Sequence, residues 1–287
     1  MKHNILLEQY HFGGYVDMLG ETEDVDEEGS FSNAKISRRI AIVLAGATIN
    51  IIFGITIYFI LMTGSGINSS TIIKEMIPEY INENTVLQAG DKIIEINNKK
   101  TRIKSDVDNI LFTSNGEQLD VIVERNGEEI QLDVIPTKLE YNGRTRYILG
   151  VEVEQKNRNL KNNLYYGFWE TVSFLSSTKD SIVMLFTGNV GIDQMTGPVG
   201  ISEMVVKTDG LYDFIYLMSI ISLSLGVTNL LPIPALDGGK IVLLVIEAIR
   251  GKKLSEEVEL QIQSIGFSFL ILLSLYVSFN DVSKFFR

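Results

Sequence analysis

Asp237 is the residue whose type and setting point most directly to chemistry. It lies in Leu231–Lys240, "LPIPALDGGK", where a long charge-free run ends between two prolines and two glycines. Pro232 and Pro234 forbid a continuous helix and free backbone groups that must be satisfied within protein. Gly238 and Gly239 permit close backbone approach and positive φ. A carboxylate held at a fixed place by such a segment suits a metal ligand, which has to be positioned to within a few tenths of an ångström. An ionisable residue at a membrane-type segment is a functional-site candidate because burying it is expensive. The plainer alternative is an aspartate that caps a helix end at the headgroup level.

Other ligand types are scarce. The 287 residues contain no cysteine, so neither a disulfide framework nor thiolate ligands are available. There are two histidines, His3 and His11. With Glu8 they do not fall on one helical face, where ligands sit three or four residues apart. Gly13, Gly14 and the neighbouring aromatic alternation read as a strand, with His11 a polar residue at a hairpin edge. The net charge of −11 argues against a nucleic-acid partner.

The elements that must position Asp237 are apolar. Ile40 to Met62 carries no charge and exceeds the roughly 20 residues a helix needs to cross a bilayer. Lys35, Arg38 and Arg39 flank it, which places that end in the cytoplasm. Phe214 to Leu236 is a second such run, followed by Lys240, Arg250, Lys252 and Lys253. Ile262 to Phe279 is a third, shorter one. The expected path crosses outward, returns, and crosses outward again. Met1 to Gln9 lacks the apolar core of a secretory signal.

Between the first two runs the composition changes. "IIKEMI" is strand-like, and "AGDKIIEINNKK" holds a strand that ends at an Asn97–Asn98 turn. Leu119, Val121 and Val123 alternate with more polar residues, Asn126–Gly127 supplies a type I′ turn, and Ile130, Leu132 and Val134 return. "SDVDNILFTS" predicts a helix capped by Ser105 or Asp106. "YILGVEV", Tyr147 to Val153, predicts one further strand. Asn162 to Thr187 predicts an amphipathic helix, either interfacial or re-entrant or else a soluble packing helix.

"NLLPIPALDGG", Asn229 to Gly239, resembles the third-ligand motif of the site-2 protease family of intramembrane zinc metalloproteases. Further stretches resemble that family in order. "FGGYVDMLGE" is similar to its membrane-associated β-hairpin, "AGATIN" to the start of its second span and "AGDKIIEINN" to the core of its PDZ domain. "TGPVGI" is similar to the segment before its third span, and "IEAIRGKKLSEEVELQIQSIGFSFLILL" to the link into its last. The likeness covers nearly the whole chain and is strongest to the bacterial regulator-of-sigma-E type with one PDZ domain.

The resemblance implies a polytopic α-helical membrane protein, with three spans here and an inserted β-rich PDZ-like domain. The expected organisation is a cytoplasmic-side hairpin and loop over 1–39, a transmembrane helix over 40–62 and an extracytoplasmic PDZ-like domain over 66–157. An amphipathic or re-entrant segment over 158–212 follows, then transmembrane helices over 213–236 and 262–279. The resemblance also implies zinc as cofactor with Asp237 as one ligand. Asn229, Pro232 and Pro234 would help hold an unwound substrate strand. The substrate would be a transmembrane protein, such as an anti-sigma factor or a signal-peptide remnant, cleaved in the bacterial inner membrane. In that family the first span carries His-Glu-x-x-His, which supplies two ligands and a general base. No such motif occurs in the 287 residues. The expectation is that the sequence starts beyond that helix and is inactive as this chain alone. A different class of function also fits the expected domains: a non-catalytic, membrane-anchored PDZ binding protein, or decoy, that takes extended segments by strand addition.

Overall fold

The computed structural model describes residues 19, 27, 29–80, 86–141, 144–188 and 195–284. His3, Glu8 and His11, and the hairpin-like stretch apart from Leu19, lie outside the described residues. Seven helices are described: α1 (Ile36–Ser65), α2 (Lys104–Thr113), α3 (Leu160–Phe186), α4 (Pro198–Val206), α5 (Gly210–Asn229), α6 (Asp237–Arg250) and α7 (Glu256–Lys284). Eight strands accompany them: β1 (Ser69–Met76), β2 (Lys92–Ile96), β3 (Lys99–Lys100), β4 (Leu119–Arg125), β5 (Glu128–Val134), β6 (Thr137–Tyr141), β7 (Arg144–Ile148) and β8 (Val151–Gln155). The chain divides into two compact units, residues 1–54 with 195–287, and residues 55–194.

Among the described residues three helices are long and apolar enough to cross a membrane: α1, whose residues 36–54 belong to the first unit and 55–65 to the second, and α5 and α7 of the first unit. Lipid offers no hydrophobic drive between helices, so close contact relies on small residues. Gly54 and Gly226 show this directly. A Cβ on Gly54 would lie 2.8 Å from the Leu223 N and the Ser219 O, and one on Gly226 would lie 2.8 Å from the Ala47 O. Ser222 Oγ donates to the Asn50 carbonyl at 3.0 Å along the same seam. Arg39 at the start of α1 donates to both oxygens of Glu247 in α6, at 2.9 and 3.0 Å. Phe31 lies beside this pair, with the Arg39 guanidinium 5.1 Å and the Lys240 ammonium 4.9 Å from its ring centre. Asp281 of α7 accepts from the backbone N–H groups of Gly197 and Gly200, at 2.8 and 2.9 Å, and so satisfies donors at the start of α4 that have no intrahelical partner.

The second unit holds the β-rich part. Its main sheet runs β5-β4-β2-β1-β8, with β3 paired to β2, while β6 and β7 form a separate ribbon. The alternation in β4 sends Leu119, Val121 and Val123 fully inside. Their partners in β5 are Val134, Leu132 and Ile130. Both turns have the backbone their sequences predict. Asn97 and Asn98 have φ of 49° and 62°, and Asn126 and Gly127 have 55° and 86°, as type I′ turns require. Val107, Ile110 and Leu111 of α2 close the core over Ile73, Ile93 and Ile96.

Three local expectations are corrected. "YILGVEV" is not one strand, because β7 stops at Ile148 and β8 starts at Val151, with Gly150 between them at φ +66°. The helix cap is Ile103, with no side-chain cap bond. Ser105 donates instead to Glu170 of α3 at 2.8 Å, while Asp106 accepts from the Arg102 N–H at 2.8 Å. The helix expected over 213–236 is shorter, because the break that Pro232 and Pro234 impose comes after Asn229. α5 stops at Asn229 and Asp237 begins α6.

Candidate functional site

The turn between α5 and α6 presents Asp237. Two prolines one residue apart remove two donors, so the chain leaves the helix at Asn229 and tightens through short bonds. The Leu231 N–H reaches the Thr228 carbonyl at 3.0 Å, Ile233 reaches Leu231 at 2.7 Å, and Leu236 reaches Ile233 at 3.1 Å. Ala235 has φ +72°, a left-handed conformation that costs a residue with a Cβ about 1–2 kcal/mol. The chain then enters α6, whose first backbone bond runs from Lys240 to Leu236 at 3.1 Å.

Glycines clamp this turn. A Cβ on Gly238 would lie 2.3 Å from the carbonyl oxygens of Leu230 and Leu231. On Gly239 it would lie 2.2 Å from the Ile233 oxygen, and on Gly266 of α7 it would lie 2.3 Å from the Pro234 oxygen. The turn is thus held between the first residues of α6 and the face of α7, backbone to backbone, at distances no side chain allows. Asp237 sits in the first turn of α6, half-buried. The positive end of the helix dipole there favours a carboxylate. Asn229 and Pro234 are half-buried and Pro232 is exposed, so all four residues singled out in the sequence belong to one turn. Gly266 was not singled out. A lone glycine inside the third charge-free run was the available sign.

Does this turn fit zinc? A catalytic zinc takes three protein ligands and leaves one position open. Among the described residues no three His, Cys, Asp or Glu side chains come together as a metal-binding group. Asp237 offers one donor. The described residues therefore do not make up a zinc site.

A groove in the second unit is a further concave feature among the described residues. It has a volume of about 130 Å³ and lies between α2 and the start of β8. Lys104, Val107, Asp108 and Leu111 form one wall, and Leu149 and Val151 belong to the other. β8 is the last strand of its sheet.

Two carboxyls of this unit are shifted in opposite directions. Burial alone would raise Asp91, but the Arg125 guanidinium and the Gln88 N–H outweigh it and hold the carboxyl below its usual 3.8. Glu170 is pushed up, first by burial and then by the nearby Asp106 and Asp108. The Ser105 hydroxyl and the Lys104 ammonium oppose the shift.

Comparison with known proteins places these features in a class. Residues 3–273 match peptidase family M50, and the chain belongs to that family, the site-2 proteases. It is similar to a zinc metalloprotease RasP of Geobacillus kaustophilus, 32% identical over 260 residues, which are 89% of this chain and 61% of that protein. It is also similar to the probable protease eep of Enterococcus faecalis, 35% identical over 261 residues, again 89% of this chain and 61% of the relative. A putative zinc metalloprotease of Fusobacterium nucleatum is 32% identical over 283 residues, 96% of this chain and 82% of that protein. The chain spans about three fifths of the length of the first two. Its family and its three long apolar helices make it a membrane protein.

Proposed function

We propose that this chain contributes to an intramembrane zinc metalloprotease that hydrolyses a peptide bond within the transmembrane segment of a single-span protein. The substrate class is an anti-sigma factor or a signal-peptide remnant, and the location is the bacterial inner membrane, crossed by α1, α5 and α7. The carrying observation is the backbone-clamped turn that begins α6 with Asp237. Asp237 supplies one zinc ligand, while Asn229, Pro232 and Pro234 steady an unwound substrate strand beside it. Two more ligands and a general base must come from another segment carrying His-Glu-x-x-His, so the 287 residues by themselves do not cleave. The test is cleavage of a model single-span substrate by the chain with and without such a helix. Cleavage is expected only with the helix, and it should disappear in Asp237→Asn, which keeps shape and removes charge. Cleavage that survives Asp237→Asn overturns the reading.

A second reading is favoured by the groove. Its strand wall is the outermost strand of the sheet and its other wall is a helix, an arrangement suited to adding an extended peptide as a further strand. On this reading residues 66–157 are a PDZ-like module on the extracytoplasmic side, and binding is its whole task. A fluorescent peptide ending in an apolar residue should bind the full chain and be weakened by Leu111→Lys. Binding that Leu111→Lys leaves unchanged would remove the groove from consideration.

A further inference from the structure

Helix α2 serves two faces at once. One face is the groove wall, with Lys104, Val107, Asp108 and Leu111 at the spacing of one helical stripe. The opposite face is tied to α3. Ser105 Oγ donates to Glu170 Oε2 at 2.8 Å. Asn109 Nδ2 donates to the Ser173 carbonyl at 3.0 Å and to its hydroxyl at 2.8 Å. Just before α2, the Arg102 guanidinium lies 4.0 Å from the ring centre of Trp169. Thr171 and Ser173 of α3 are buried, so water does not readily replace these bonds. α3 is in turn fixed to α1. Phe174 stacks on Tyr58 with ring centres 4.5 Å apart and planes 7° from parallel. A Cβ on Gly167 would lie 2.3 Å from Thr63 Oγ1.

A ten-residue helix is about 15 Å long and moves as one rod. Packed elements switch between discrete arrangements more readily than they deform continuously. Resting on the reading of the groove as a binding site, we propose that filling the groove displaces α2, and that the Ser105–Glu170 and Asn109–Ser173 bonds carry the displacement to α3 and on to α1. The seam is then a regulatory link between an occupied groove and a membrane helix. The groove face alone would make α2 a passive wall; the polar bonds on its far face make it a lever.

The chain carries its own reporter, because Trp169 is the sole tryptophan and stands at the seam. It has no cysteine, so one introduced thiol can be labelled uniquely. Asp108→Cys in the full chain, labelled with N-benzylmaleimide, fills the groove from the helix side, and Val151→Cys does so from the strand side. Labelling either is expected to shift the emission of Trp169. The shift should be lost when Ser105→Ala and Asn109→Ala are added. No shift in either labelled protein, or an equal shift with the seam bonds removed, overturns the coupling. A shift in the labelled proteins together with failure of any free peptide to bind upholds the coupling and rejects only the groove as a peptide site.

Discussion

Asp91 and Asp237 are the same residue type held in opposite ways. Asp91 has a fully buried carboxylate. Arg125 donates to both its oxygens, at 2.6 and 2.8 Å, and the Gln88 N–H adds a third bond at 2.9 Å. The Arg125 side chain and a backbone N–H hold the carboxylate itself, and it holds the start of β2 against the end of β4. Asp237 is half-buried and is held through the backbone on either side of it, which approaches neighbouring carbonyls at places where glycines leave room. The first arrangement fastens two strands with a carboxylate; the second presents a carboxylate on a rigid turn. Burial, and the backbone contacts made by the residues around the acid, thus separate a structural acid from a candidate ligand where residue type does not.

The largest expected effect breaks the first half of that comparison. Arg125→Ala leaves Asp91 charged in the interior and should cost about 3 kcal/mol of stability, read as a lower midpoint in thermal or denaturant unfolding. A decrease no larger than that of an exposed ion pair would show that the pair is ornamental. Next is the second half. Gly266→Ala drives a Cβ onto the Pro234 carbonyl and should cost about 1–3 kcal/mol by overpacking. It should also displace the turn that carries Asp237 while leaving the β-rich unit intact. Unchanged unfolding would mean that α7 does not clamp the turn.

Smaller effects sharpen the account. Ala235→Gly relieves a positive φ and should stabilise by up to about 1 kcal/mol; destabilisation would mean that the alanine methyl does packing work there. The two shifted carboxyls predict opposite pH trends. The lowered carboxyl of Asp91 contributes stability that is present above the usual value of 3.8 and lost as pH falls through its lower folded value. Asp91→Asn should flatten that acid limb. The raised carboxyl of Glu170 works the other way. Its contribution is present below the usual 4.5 and is lost as pH rises through its higher folded value. Glu170→Gln should therefore gain stability relative to the parent as pH rises, and a gain confined to acid pH would contradict that sign.

Local signals were legible wherever local physics decides. The alternation Leu119–Val121–Val123 and the turns at Asn97–Asn98 and Asn126–Gly127 needed nothing beyond a few residues. The Asp237 motif was legible as a unit, and Asn229, Pro232, Pro234 and Asp237 do share one turn. What escaped depended on distant partners. Pro232 and Pro234 announced the break, but hydropathy continues through Leu230–Leu236, so the run hid that α5 already ends at Asn229 and that Asp237 starts a new helix. Ser105 looked like a cap, but Glu170, 65 residues later, takes its hydroxyl. Gly266 drew no notice because its role is set by Pro234 on another segment. The break at Leu149–Gly150, which shapes one end of the groove, interrupts a stretch that reads as continuous strand.

The central claim is that Asp237 is a single zinc ligand, presented rigidly and awaiting two more. The most direct measurement is the zinc content of the purified 287-residue chain, alone and after a His-Glu-x-x-His helix has been supplied. The account predicts no stoichiometric zinc in the chain alone, about one zinc per chain with the helix, and loss of that zinc in Asp237→Asn. Stoichiometric zinc in the chain alone, or zinc retained with the helix after Asp237→Asn, would contradict it.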